Sequence, residues 1–221
     1  ELAGFFDRQA RNADAVVEYH EALRLDERLL RPQLELCRMY SPSRLNEPAS
    51  ARTHGGNALD GYRTLGTQAE EGQSLLCLAD VLALGRDEQR VQAGTHAQAA
   101  LKLFEELDYD YSAARAEYYL ALVAAMQGRF KESVAIGEKA LVRARDAGNI
   151  AVQATLMSNL GAAHVSLGNR AQGADYYQQA YKLYQSWRDE SRAARIQANR
   201  GALLIESGRA AAGSERDDRL H

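Results

Sequence analysis

Asn159 and Asn199 lie 40 residues apart, and each carries amide donors and an acceptor on a short side chain. Amides set at such an interval can grip the main chain of an extended peptide, whose N–H and C=O groups recur whatever its side chains are. The same amides can instead bond between neighbouring helices, and the sequence leaves both uses open. The other reactive side chains show less order. His20, His54, His96, His164 and His221 have no regular partner spacing, and His164 reads as a packed structural residue. Cys37 and Cys77 lack metal-type spacing and read as small core thiols of a reducing, cytoplasmic compartment, a disulfide being the less favoured alternative. The stretch HGGN, His54 to Asn57, offers an anion nest, but close packing inside a helix is the preferred reading. No phosphate-binding glycine loop, zinc spacing or nucleophile elbow occurs, so nothing in the sequence argues for catalysis or a cofactor.

The asparagine interval is the interval of the whole chain. Ala58, Ala100, Ala140 and Ala180 are separated by 42, 40 and 40 residues, and Gly128, Gly168 and Gly208 by 40 and 40. A fixed period in this range marks stacked helical units, each too small to bury its apolar face alone. Numbered from the start of each unit, position 8 is Ala3, Cys37, Ala79, Ala121, Gly161 and Gly201, and position 20 is Ala15, Ala51, Ala93, Ser133, Gly173 and Gly213. Small side chains at both positions let helix A and helix B of one unit approach closely. Position 7 supplies the bulky partner as Leu2, Leu36, Leu78, Leu120 and Leu160, and fails at Arg200. Tyr118, Tyr119, Tyr176, Tyr177, Tyr181 and Tyr184 are expected mostly to fill gaps between units.

Composition narrows the function. The net charge is −3 and the basic residues are spread along the units, with no basic block to track a phosphate backbone, so nucleic acid is not an expected partner. No apolar run reaches the ~18 residues of a membrane span, and no signal-peptide layout opens the chain. The chain lacks an initiating Met and starts within a helix A, so it is expected to come from a longer protein. Beyond Gly208, the charged stretch RAAAGSERDDRLH is expected to be a degenerate cap or a frayed end.

The large, small, aromatic and alanine pattern of Leu160-Gly161, Gly168, Tyr177 and Ala180 resembles the tetratricopeptide repeat. The period exceeds the usual ~34 residues, and a longer helix B accounts for the excess, as in kinesin light chain and spindle-orientation adaptor repeats. The resemblance implies an all-α, right-handed superhelical solenoid of antiparallel helix pairs, with about five units plus a partial sixth. One domain over 1–221 would comprise units 1–27, 28–67, 68–109, 110–149, 150–189 and 190–221. It also implies that A helices line a partner-binding groove. That groove would be lined by Arg31, Glu35 and Arg38, then Gln73, Cys77 and Asp80, then Arg115, Tyr118, Tyr119, Leu122 and Met126. Thr155, Ser158, Asn159 and Ala162 would continue it, followed by Arg195, Asn199 and Ala202. The lysine and asparagine clamp of chaperone-binding relatives is not matched. The function implied is a non-catalytic protein- or peptide-binding module, similar in style to adaptor segments of bacterial signalling proteins such as eukaryotic-like serine/threonine kinases. A scaffold that self-associates through exposed end units is the alternative.

Overall fold

The computed structural model describes the backbone of residues 2–42 and 44–217, and the side chains of 11–42 and 44–205. Among these residues every regular element is an α-helix. The chain divides into two compact units, Glu1–Gly128 and Arg129–His221. The first holds α1 (Leu2–Leu25), α2 (Leu30–Tyr40), α3 (Pro48–Leu65), α4 (Gln68–Ala83), α5 (Asp87–Glu106) and α6 (Asp110–Met126). The second holds α7 (Phe130–Asp146), α8 (Ile150–Ser166), α9 (Arg170–Ser186) and α10 (Glu190–Asp217). Within each unit successive helices pack on one another, and α4 also touches both α2 and α6. This is an all-α helical-repeat fold. The helices α2, α4, α6, α8 and α10 take the place of the A helices.

The inter-repeat turns explain the constancy of the period. Gly66, Asp108, Gly148 and Arg188 all adopt the left-handed conformation, with φ of 71°, 55°, 66° and 55°. The next N–H in each case closes a six-residue turn: Thr67 onto Tyr62 O, Tyr109 onto Phe104 O, Asn149 onto Ala144 O and Asp189 onto Tyr184 O, at 2.8–3.2 Å. These are Schellman closures, which satisfy carbonyls that the helix end leaves open. Each left-handed residue stands eight places after one of the four period alanines, all of which are 0% exposed. Chain reversal and close packing are therefore locked to the same interval.

The small positions do what their size requires. Ala51, Ala93 and Ser133 are buried at position 20, and Cys37, Ala79 and Ala121 at position 8. Between α8 and α9 the approach is close: a Cβ on Gly161 would stand 2.7 Å from the Tyr177 ring and 3.1 Å from Gly173 O. Leu36, Leu78 and Leu160 fill the core beside them. HGGN lies inside α3 and forms no nest; a Cβ on Gly55 would meet Leu78 at 2.8 Å and Cys37 Sγ at 2.9 Å. The end helices differ from the rest. Helix α1 runs unbroken, and α10 continues through Gly208 where the repeat pattern places a turn. The side chains of 206–221 lie outside the described residues.

Candidate functional site

In the first unit the A-helix residues form a bonded ladder across α2, α4 and α6. Arg38 pairs with Glu35 on its own helix at 2.7 Å and donates through Nη2 to Gln73 Oε1 at 3.1 Å. Arg115 approaches the same Oε1 from the α6 side, Nη1 at 3.4 Å. Gln73 Nε2 donates in turn to Ser112 Oγ at 3.0 Å. Because a guanidinium can only donate, the two arginines dictate which end of the Gln73 amide is the oxygen. Arg31 is exposed on the first turn of α2 and Met126 is exposed at the end of α6. Tyr118 and Leu122 are half-buried between them in sequence, and the Tyr118 ring leans on Tyr119 with centroids 4.8 Å apart.

Tyr119 and Asp80 form the buried end of this face. Burial, then the neighbouring Asp80 carboxylate, pushes the Tyr119 hydroxyl well above its ordinary range. Burial also raises Asp80, against the opposing pull of its hydrogen bond to Tyr119, the Arg115 charge and a bond to Ser41. Tyr119 is thus a core residue, 6% exposed, that meets this face through Asp80 and the Tyr118 ring. The groove-facing position expected of it is replaced by a buried one.

Cys37 and Cys77 form a disulfide between α2 and α4, with Cα atoms 6.4 Å apart. The core placement expected of them holds, since they are 0% and 6% exposed, but they are not free thiols. Residues 40 apart occupy equivalent regions of adjacent units, and the small residues around them bring A helices within disulfide reach. The cross-link fixes the two helices that carry Arg38 and Gln73.

In the second unit, α8 presents Thr155, Ser158, Asn159 and Ala162. Thr155 Oγ1 donates to Ala151 O at 2.9 Å and lies 3.3 Å from the Tyr184 hydroxyl. Ser158 is buried at 7% and Ala162 is exposed. Asn159 is half-buried, and its Nδ2 is shielded from solvent without a hydrogen-bond partner. On α10, Arg195 and Ala202 are exposed and Asn199 is half-buried.

Two clusters off the A-helix faces escaped the sequence reading. His20 Nε2 stands 3.0 Å from the Tyr40 hydroxyl and its ring meets His54 edge-on, while His54 stacks on Tyr40 and bonds Gln33 at 2.7 Å. In the second unit, Glu138, Arg145, Asp175 and Tyr176 line an outer cleft of about 420 Å³ between α7 and α9. The buried His164 stacks on Tyr176 there, centroids 5.4 Å apart, as a packed histidine should. Among the described residues no group of three His, Cys, Asp or Glu is placed to hold a metal. No helix among them is long and apolar enough to cross a membrane.

No protein-family model matches the chain, and no curated protein matches its sequence. Among solved structures the chain is similar to a Rap protein complexed with competence and sporulation factor, with a TM-score of 0.70 at 16% identity. The likeness covers 93% of this chain and 62% of that one, so the chain spans under two thirds of its neighbour's length. It establishes a shared tetratricopeptide-like helical-repeat fold.

Proposed function

We propose that this chain is a non-catalytic protein- or peptide-binding module that holds an extended partner segment on an A-helix face, that of α2, α4 and α6 in one compact unit or of α8 and α10 in the other. The observation that carries the reading is Asn159. A shielded amide nitrogen without a partner costs about 1–3 kcal/mol, a penalty that a ligand carbonyl would remove. Asn199, one repeat further, offers the same group on α10. The structural neighbour adds support, because its Rap protein is complexed with competence and sporulation factor. On this reading the segment serves as an adaptor or regulatory part of a larger signalling protein, and its long repeat links it to the kinesin light chain type. Nucleic acid is not proposed as a partner for a chain of net charge −3. The cytoplasmic placement suggested by free thiols loses that support with the Cys37–Cys77 bond.

The test is capture of partners from a lysate of the source cells, with the parent chain compared to an Asn159→Ala, Asn199→Ala variant of verified helicity and stability. A partner retained by the parent and lost by the variant supports the reading; equal retention by both refutes it. Leu204 and Ile205, 72% and 58% exposed on α10, favour a second reading in which the chain self-associates. A mass that rises with concentration in the absence of any ligand would distinguish it.

A further inference from the structure

Gln73 is a neutral group on which two guanidiniums converge. Arg38 reaches its carbonyl from α2 and Arg115 from α6, at 3.1 Å and 3.4 Å. Glu35 balances Arg38. Arg115 is held by the long hydrogen bond to Gln73, while the Asp80 carboxylate that acts on it is bonded to Tyr119 and Ser41. A half-buried guanidinium has five donors in a planar fork that matches a carboxylate, and an amide oxygen uses one of them. The disulfide between α2 and α4 holds the Arg38 side of the pair in place, so an incoming anion meets an arrangement already formed.

We infer that the α2, α4 and α6 face binds a carboxylate of the extended partner segment between Arg38 and Arg115, replacing Gln73 as the acceptor. The inference rests on the binding function proposed above and adds the chemistry of one partner group. An acidic side chain and a peptide C-terminus present the same group, and the two are separated by experiment. The ligand's anionic oxygens take the Arg115 fork, while Gln73 retains its bond to Ser112. Asn159, in the other compact unit, is not part of this contact.

The experiment is affinity selection of random heptapeptides on the intact, oxidised chain, using one pool with free C-terminal carboxylates and one pool amidated. An acidic side chain as the source gives Asp or Glu enriched at one position in both pools; a terminal source gives binders from the free-acid pool alone. Selected peptides should bind at least about tenfold more weakly to Arg115→Gln and to Arg38→Gln, the loss expected for a hydrogen bond to a charged group. Urea midpoints of both variants, matched to the parent, separate loss of contact from loss of fold, and Arg115→Lys keeps the charge if the glutamine variant does not fold. Peptides selected without any acidic bias, or bound equally by the arginine variants, overturn the inference and leave the binding function standing. Failure to select any peptide from either pool removes both.

Discussion

Breaking the bond between Cys37 and Cys77 should loosen the first compact unit by an amount that follows from its loop. The cysteines are 40 residues apart, and closing a loop of that length removes roughly 13 cal/mol/K from the unfolded ensemble, or about 4 kcal/mol at 25 °C. That is nearly three orders of magnitude in the unfolding equilibrium. The native side of the balance changes little, because both sulfurs are already packed and their reduced forms remain small apolar groups. The assay is urea unfolding followed by circular dichroism, with and without a phosphine reductant. For a slope of about 2 kcal/mol/M the midpoint of the α2–α4 region falls by about 2 M. A Cys37→Ser, Cys77→Ser variant should reproduce the reduced curve and show no further response to reductant. Intact mass and thiol alkylation establish first that the bond is present. An oxidised protein whose midpoint does not move on reduction refutes the loop-entropy reasoning, and unreacted free thiols in the untreated protein refute the bond.

Asp108 and Arg188 hold a conformation that costs a residue with a Cβ roughly 1–2 kcal/mol, so Asp108→Gly and Arg188→Gly should each raise the melting temperature, net of the glycine's greater freedom when unfolded. Gly55 and Gly56 are neighbours in α3 with opposite expectations. Gly55→Ala drives a methyl into Leu78 and Cys37 and should cost about 1–3 kcal/mol, whereas Gly56→Ala meets nothing within 4 Å and should gain about 0.5–1 kcal/mol, both read from urea midpoints. Burial first, and His20 second, hold the His54 imidazolium below its ordinary value, so the unfolded chain takes up that proton more readily than the folded one. This contribution to stability is complete above about pH 6.5 and declines as the pH falls toward the depressed folded value; melting His54→Gln across that window should show a shallower decline.

The period alanines were legible because packing leaves no choice of size at those positions, and Gly128 and Gly168 because turns of positive φ favour glycine. Asp108 and Arg188 make the inter-repeat turn of Gly66 and Gly148 without the residue that announces it. The disulfide was hidden by the repeat itself: Cys37 sits in a column of small residues, and the 40-residue interval is shared by everything else in the chain. The placement of Arg38, Gln73 and Arg115 on successive A helices could be read from their positions. The convergence of two arginines on Gln73 could not, since it depends on side-chain reach across three helices that are distant in sequence. Tyr119 was misassigned because a residue one place from the exposed stripe of α6 is turned about 100° into the core. At the ends, Gly208 carries the turn residue but lacks the apolar helix B that would draw the chain back, and α10 continues.

The left-handed turns also restrict how this chain can change in length. One residue inserted into α7 would carry its exit about 1.5 Å further along the axis and turn it about 100°, so the Schellman closure at Gly148 would launch α8 with the wrong side toward its neighbours. Forty residues inserted together, cut from one such turn to the next, bring their own alanine, their own closure and the same exit direction. Growth and loss in this protein are therefore quantised: single-residue insertions and deletions inside the helices should be purged, whereas duplication or excision of a whole unit keeps every surviving interface intact.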